Sequence, residues 1–327
     1  MSFDNIKLEK GLYSTSKGFT ASLEELDPSE NYKGTEYEGL DAYQRQLKRF
    51  DIKVSGKNSD TISKFFQTSD SAALFPEYIS RAVRQGLEGE DTLDKIVAVT
   101  TEIDALDYRS VACDPDENNY RAGDIAEGSF IPETVIKTKE ELTPLKKRGR
   151  MLVASYESLK FQKLDMFTVM LSKIGNSIAK EFLCDAMKVI EAEGPEQVHD
   201  TVVEYDYDCL VDMYTAFKNY NLTTFLCPPE VYTGILKLSE FRDANAGLNF
   251  HATGSPITPL GAELVCVNGY EMENDIVAID KNYALEKVQA GGIITDYDKL
   301  IDRQLERATV SSICGFSRIF EDAVKFV

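Results

Sequence analysis

The segment from Asp165 to Glu193 constrains the fold most, because it predicts one unusually long helix. Asp165 is an N-cap candidate, since its carboxylate can accept backbone N–H bonds from the first turn. Gly194 and Pro195 then end the pattern. Apolar residues between these ends recur at spacings of three, four or seven and mark one helical face: Phe167, Leu171, Ile174, Ile178, Phe182 and Val189.

A helix of about 28 residues is roughly 42 Å long, well beyond the usual 11–12 residues. We expect such a helix to lie along a sheet or along neighbouring subunits. A long core helix in another kind of α+β protein satisfies the same pattern equally well.

Composition indicates a globular chain and gives no sign of a membrane protein. At 327 residues, with 43% hydrophobic residues, the chain can bury a substantial core in one large or two medium domains. No window approaches about 18 consecutive apolar residues, and no apolar signal segment follows Met1, so neither a membrane span nor export is expected. The six cysteines are scattered without a Cys-x-x-Cys motif, which is typical of reduced packing residues in a cytosol.

The net charge of −19 argues against a nucleic-acid reader. An acidic surface repels nucleic acid and anionic membranes on average, whereas DNA-binding domains present a basic face. Solubility alone is a sufficient explanation of this charge. An acidic protein can still surround DNA to which it does not adhere.

The chain begins with a polar stretch that predicts little core. Residues 1–68 contain scattered Gly, Ser and Asn and one weak helical pattern at 40–50. We expect this stretch to be an arm lying on another surface. A helix is predicted at 74–87, with Pro76 in its first turn, and the Val-, Ile- and Thr-rich residues 93–111 predict strands.

Two polar strands are predicted on either side of Pro144, at residues 134–139 and 145–154. Turn-forming residues between Asp114 and Asn119 precede them. Strands with almost no apolar face form a hairpin that is marginal in isolation. We therefore expect this hairpin to persist only where it lies across another surface.

An alternating α and β pattern follows the long helix. Helices are predicted at 207–220 and 230–238, and strands at 224–227 and 264–267. Strand patterns return near the end of the chain, at 276–279, 283–288, 293–294 and 309–319. Because these must meet the strands that precede the long helix, we expect a sheet built from distant parts of the chain.

The search for catalytic, cofactor or metal chemistry is negative. His199 and His251 have no ligand neighbours at metal-binding spacing. Phosphate-binding and nucleophile-elbow motifs do not occur. Residues 114–118 resemble the start of a calcium loop, but Asn119 replaces the glycine that such a loop needs. We predict a turn there, no catalytic or cofactor site, and no enzyme activity.

One basic cluster remains, and its residues are our candidate inter-subunit contacts: Lys146, Lys147, Arg148 and Arg150. The cluster is too short to outweigh the acidic remainder in binding nucleic acid or anionic lipid. Because it lies on the hairpin, an ion-pair contact with an acidic neighbouring subunit is the preferred interpretation.

In its order of parts the chain resembles the major capsid proteins of tailed bacteriophages, with the Hong Kong 97 fold. Residues 143–147 running into 153–159 are similar to the return strand of the family's extended loop as it enters the spine helix. Residues 227–231 and 254–257 are similar to the strand-to-helix step and the loop of the axial domain. Residues 311–327 are similar to the closing strand and tail of the peripheral domain.

The resemblance spans residues 74–327 and implies an α+β capsid fold with an extended β-hairpin loop and a long spine helix. It assigns the following regions: an N-terminal arm (1–73), the first part of the peripheral domain (74–111), the extended loop (112–154), the spine helix of the peripheral domain (155–200), the axial domain (201–275), and the closing strands and tail of the peripheral domain (276–327).

The implied function is that of a structural subunit. Copies assemble as hexamers and pentamers into an icosahedral virion capsid in the host bacterial cytoplasm, and the shell encloses double-stranded DNA without reading its sequence. The principal partner is the chain itself, and portal, scaffolding or decoration proteins are further partners that the resemblance allows. No cofactor and no membrane are implied. Symmetric closure would bury what each subunit leaves exposed.

Some members of the family differ in ways that bear on this chain. Some carry a long charged N-terminal region that a protease removes, whereas residues 1–73 are shorter and we expect a retained arm. Others crosslink through a loop lysine, but nothing in the sequence selects one here. The alternatives are an encapsulin-type bacterial nanocompartment shell protein and a soluble α+β enzyme with a site built from scattered carboxylates.

Overall fold

A computed structural model describes residues 3–14, 18–89, 92–112, 124–131, 133–192, 198, 206–242 and 256–327. The chain divides into two compact units. The first comprises Met1–Gly89, Arg148–Ile178 and Ile293–Ser312, and the second comprises Glu90–Lys147, Ala179–Gly292 and Ile313–Val327. Each unit therefore combines three stretches that are distant in sequence.

Helices and strands are both well represented, which confirms the α+β class. The helices are α1 (Phe19–Leu26), α2 (Ala42–Arg49), α3 (Ser69–Ala72), α4 (Phe75–Glu88), α5 (Tyr156–Phe161), α6 (Leu164–Glu191), α7 (Tyr207–Ala216), α8 (Pro229–Leu236) and α9 (Ser239–Arg242). The strands are β1 (Val97–Ile103), β2 (Val111–Ala112), β3 (Lys137–Thr138), β4 (Lys146–Ser155), β5 (Thr224–Cys227), β6 (Glu263–Cys266), β7 (Val277–Ile279), β8 (Leu285–Ala290), β9 (Ile294–Leu300), β10 (Leu305–Arg318) and β11 (Val324–Phe326).

The long helix predicted from the sequence is α6, which has 28 residues. Asp165 lies in its first turn, so the prediction that Asp165 is the N-cap is wrong. Backbone pairing holds the start of the helix instead. Lys163 and Thr61 form an isolated antiparallel β-bridge, and the Leu164 N–H donates to the Asp60 carbonyl at 2.9 Å. Four residues of the predicted apolar face are buried: Phe167, Leu171, Ile178 and Phe182.

Strands from distant parts of the chain form one sheet in the order β1-β8-β10-β4, with β9 also paired to β10. β1 runs parallel to β8, and β10 runs antiparallel to both β8 and β9. This order confirms that the strands near the end of the chain meet those that precede the long helix.

The pairing within the predicted hairpin differs from expectation. β3 pairs with β2, joining Lys137 to Ala112 and Thr138 to Val111. β4 lies instead at the edge of the sheet beside β10. The prediction that residues 134–139 and 145–154 pair with each other is therefore wrong, because β3 pairs with β2 and β4 lies beside β10.

The N-terminal stretch packs into the first unit, so the expectation that it buries little within its own chain is wrong. Many of its apolar side chains lie in the core cluster that also contains Phe75 and Phe167, among them Phe19, Leu23, Leu47, Ile62 and Phe65. A buried ion pair supports this packing, because Arg45 Nε donates to Asp27 Oδ2 at 2.7 Å. The apolar residues that make this possible are spaced between polar ones, which hid them in a composition argument.

The second unit contains a four-stranded sheet in the order β11-β7-β5-β6. β5 is parallel to β6 and antiparallel to β7, and β7 is antiparallel to β11. Helices α7 and α8 contribute Leu210, Met213 and Ile235 to the core beside this sheet. The resemblance places a boundary between the axial and peripheral domains at residues 275–276. This sheet contains strands from both sides of that boundary, since β5 and β6 precede it and β7 and β11 follow it.

Candidate assembly surfaces

The segment from β2 to β3 (residues 111–138) is called the ribbon below, and the structure describes residues 111–112, 124–131 and 133–138 of it. Hydrogen bonds hold its base. The Lys139 N–H donates to the Ser110 carbonyl at 2.8 Å, and the Thr143 N–H donates to the Tyr108 carbonyl at 2.9 Å. The Lys139 ammonium donates to the Arg318 carbonyl at 2.7 Å. These bonds join both ends of the ribbon to its own unit.

The buried carboxylate of Glu286, on β8, binds the same base. It accepts hydrogen bonds at 2.6 Å from the hydroxyls of Thr101 and Tyr108, and a further one from the hydroxyl of Ser110. Burial raises the pKa of the Tyr108 phenol, and its bond to Glu286 raises that pKa further. Three hydroxyl donors compensate one buried charge, which satisfies the carboxylate and fixes the residues that lead into the ribbon.

The described part of the ribbon beyond this base is exposed and carries several apolar side chains. Phe130 is 101% exposed and Ile131 is 75% exposed, and three further aliphatic side chains are also exposed: Ile125, Val135 and Ile136. Single exposed apolar residues need no explanation, but a concentration of them marks an interaction surface. The polar strands were predicted at 134–139 and 145–154, and the first of them includes two of these exposed side chains, Val135 and Ile136. The signal was present in the adjacent Phe130 and Ile131, but the surrounding polar residues hid it.

An apolar groove lies in the first unit, with a cavity of about 260 Å³. Most of its lining is apolar and includes Phe75, Ile79, Leu152, Phe167 and Met170, and Gln162, Glu306 and Arg307 line it as well. Sequence analysis did not identify this groove, because its lining comes from four separate stretches of chain.

Exposed apolar side chains also occur on the elements that line the groove. β4 exposes Met151 and Val153, α5 exposes Phe161, and α6 exposes Met166 and Val169. The exposed side of the first turns of α6 is therefore largely apolar. This clustering is more than the scattered exposure expected of a protein that remains monomeric.

The basic cluster lies on β4 and is not uniform. Lys146 forms an ion pair at 2.7 Å with the buried Asp185 of the long helix, within its own chain. This ion pair lies within one chain, and the Lys146 side chain is still 48% exposed. Lys147 and Arg150 are exposed, and Arg148 is half-buried. For all four residues of the basic cluster an inter-subunit contact stays a prediction.

No group of three or more His, Cys, Asp or Glu side chains that could hold a metal ion occurs among the described residues. Both histidines and residues 114–118 lie outside that part of the chain. Asp206 caps α7 by accepting the Cys209 N–H at 3.0 Å.

No helix in the described ranges is long and apolar enough to cross a membrane.

Two solved capsid-like structures share this fold. One, described as a virus-like particle from Pyrococcus furiosus, has a TM-score of 0.52 and 13% identity over 76% of this chain and 97% of the other. The second, described as the capsid of a native GTA particle, has a TM-score of 0.52 and 16% identity over 72% of this chain and 88% of the other. No family model matches the sequence. No curated protein matches it either.

Proposed function

We propose that this chain is the major capsid protein of a tailed bacteriophage, with a Hong Kong 97-type fold. The observation that carries the proposal is a ribbon with exposed apolar side chains and a hydrogen-bonded base, on a chain whose fold is that of capsid subunits. Exposed apolar surface of this kind favours association, because burial against a second copy removes it from water. A shell subunit needs this property, whereas a monomeric enzyme does not.

The shell is built of hexamers and pentamers in a closed icosahedral lattice. In closed symmetry the same surfaces meet around each axis, so every ribbon contacts an equivalent surface of a neighbouring copy. The region names given above follow from this proposal, with α6 as the spine helix and the ribbon as the tip of the extended loop. Portal, scaffolding or decoration proteins are additional partners of such a shell.

The enclosed material is double-stranded DNA, held without sequence readout. The net charge of −19 supports this part of the proposal, because an acidic protein surface does not retain dense DNA. The site of action is the virion, after assembly in the host bacterial cytoplasm. A basic inner face of the assembled shell would contradict the role proposed for the charge.

A shell of the encapsulin type, which encloses protein cargo, is the second candidate. One observation favours it: the match with this chain covers 97% of the structure described as a virus-like particle. Both candidates require self-assembly, and they differ only in what the shell contains.

Electron microscopy and sedimentation of the purified chain test the proposal. We expect capsomers or closed particles, and a chain that sediments only as a monomer or small oligomer at all concentrations contradicts it. Nuclease-treated particles then separate the two candidates. Protected DNA supports the phage capsid, and co-purifying cargo protein without DNA supports the nanocompartment.

A further inference from the structure

We propose that Cys227 and Cys266 form a modification site, at which oxidation joins strands β5 and β6 through a disulfide. The two cysteines are register partners in the parallel pairing of these strands, and each is the last residue of its strand. Both are free thiols in this structure. The site lies within one chain, so its formation does not depend on the proposed function.

The strand pairing places the two residues at the separation that a disulfide spans. Paired residues of neighbouring strands lie about 4.8 Å apart, and disulfide-bonded cysteines have Cα atoms about 4.4–6.8 Å apart. Register partners also point to the same face of a sheet. Because both cysteines end their strands, closing the bond leaves the pairing of Phe225 with Leu264 in place.

The contacts that orient the two sulfur atoms in the reduced state are weak. The Cys227 thiol donates to the Val265 carbonyl at 3.8 Å, and the Cys266 thiol donates to the Asn268 side-chain oxygen at 3.7 Å. A thiol is a poor hydrogen-bond donor, so little is lost when the sulfurs turn towards each other. Burial, with a smaller contribution from the nearby Cys266 thiol, raises the pKa of Cys227 to about 12. Burial raises the pKa of Cys266 as well, so both thiols are protonated at neutral pH and react slowly.

Cys266 is the residue that an oxidant reaches first. Cys227 is completely buried, whereas Cys266 is partly exposed. Tyr232 belongs to α8, the helix that packs on β6. It lies beside both thiols, since burial raises the pKa of its phenol and each thiol raises that pKa further. A small oxidant such as hydrogen peroxide therefore enters from the Cys266 side.

The oxidation has two steps, and hydrogen peroxide accepts the two electrons. The Cys266 sulfur attacks the peroxide, whose O–O bond breaks, giving a sulfenic acid on Cys266 and one molecule of water. The Cys227 sulfur then attacks the Cys266 sulfur. The S–S bond forms, the S–O bond breaks, and the hydroxyl leaves with the Cys227 proton as a second molecule of water. Two thiols and one peroxide thus give one disulfide and two waters.

The disulfide stabilises the second unit. It closes a loop of about 40 residues that contains α8 and α9, and such a crosslink lowers the entropy of the unfolded chain. A cytosol keeps thiols reduced, whereas disulfides persist outside the cell. In the capsid role proposed above, on which this step rests, the bond therefore forms after the shell leaves its host.

Thiol counting and peptide mapping test the site. The purified chain is treated with hydrogen peroxide, denatured and alkylated with iodoacetamide, and its mass is measured without reductant. We expect two fewer alkylated cysteines and one peptide pair linked through Cys227 and Cys266, in a chain that runs as a monomer on a non-reducing gel. The thermal unfolding midpoint should rise by about 5 °C or more on oxidation and return to its starting value with dithiothreitol.

Cys266→Ser removes one sulfur of the pair, so peroxide should leave its unfolding midpoint unchanged. Cys184→Ser is the matched control, since Cys184 is also partly exposed and its replacement keeps the pair intact, and this variant should respond like the wild type. An oxidised chain without the linked peptide pair, with crosslinked dimers instead, or with Cys266 as a sulfinic acid overturns the inference. An equal rise of the midpoint in Cys266→Ser overturns it as well. None of these measurements depends on assembly, so their failure leaves the proposed function intact.

Discussion

Gly86 of α4 and Gly175 of α6 each face the backbone of the other helix where the two cross. A Cβ atom on Gly86 would lie 1.9 Å from the Ser172 carbonyl oxygen, and one on Gly175 would lie 2.0 Å from the Val83 carbonyl oxygen. Both distances are far below van der Waals contact. The absence of side chains at these two positions therefore sets how closely the helices approach.

Replacing either glycine with alanine is expected to destabilise the first unit. Because the obstacle is backbone and cannot rotate away, Gly86→Ala or Gly175→Ala should cost at least the roughly 1–3 kcal/mol typical of overpacking. Urea unfolding measures this loss. Gly234→Ala in α8 is the control, since a Cβ there meets nothing within 4 Å, and it should be neutral or stabilising by up to about 1 kcal/mol through helix propensity.

Arg45→Met is expected to release the N-terminal stretch. Arg45 is fully buried and donates to both the carboxylate and the carbonyl of Asp27. Removing Arg45 leaves the buried Asp27 carboxylate without its ion-pair partner, which typically costs about 3–5 kcal/mol, although the Tyr32 hydroxyl still donates to Asp27. Limited proteolysis should then cut within residues 18–66 at least tenfold faster. Lys48→Met on the exposed side of α2 provides the comparison, and equal protection of the two variants would contradict the role of the ion pair.

Tyr78→Phe is expected to remove part of the loss of stability at high pH. Burial raises the pKa of Tyr78 to about 12, whereas an unfolded tyrosine titrates near 10. Between these values the unfolded chain has lost a proton that the folded chain retains, so stability is complete below about pH 10. It then falls by about 1.4 kcal/mol per pH unit as pH rises.

In the Tyr78→Phe variant this contribution to the pH dependence of stability is absent. The variant should also lose about 1 kcal/mol of stability at neutral pH, because the Tyr78 hydroxyl donates to the Leu164 carbonyl at 2.8 Å. Urea titrations from pH 8 to 12 measure both effects. Thr168→Val removes the hydroxyl that contacts Tyr78 but leaves the phenol, so it should keep the alkaline slope. Identical slopes in wild type and Tyr78→Phe would refute the assignment.

Glu286→Gln is expected to loosen the base of the ribbon. The substitution removes the charge that accepts three hydroxyl bonds, and hydrogen bonds to a charged group are worth about 1.5–3 kcal/mol. Hydrogen exchange at residues 108–112 should accelerate at least tenfold. Glu102→Gln on the exposed side of β1 is the control and should stay within about 0.5 kcal/mol of wild type. Unchanged exchange at 108–112 would show that Glu286 does not hold the base.

Reversing the charge of the exposed basic residues is expected to weaken assembly. Lys147→Glu combined with Arg150→Glu should raise the assembly midpoint concentration severalfold at low salt, and the difference should shrink as salt screens the charges. Light scattering across an ionic-strength series measures this. Lys218→Glu combined with Lys237→Glu changes the net charge equally at two other exposed lysines, so a similar effect of both double variants would indicate net charge rather than a specific contact.

Much of the local structure was predictable because it depends on short-range periodicity. The long helix, the helix at α4 with Pro76 in its first turn, and strand β5 lie within a few residues of their predicted positions. Each is specified by neighbours within one or two turns or by a short apolar run, so the pattern of apolar and polar residues is sufficient.

Strand partners and buried contacts could not be predicted in the same way. The exchange of partners by β3 and β4, the packing of residues 19–65 into the first core, and the groove beside Phe167 all join separate stretches of the chain. Such contacts depend on which surfaces meet after collapse, and periodicity is the same for every partner that a strand could choose. Local pattern accounts for the elements of this protein, and long-range packing accounts for the surfaces through which its copies are proposed to meet.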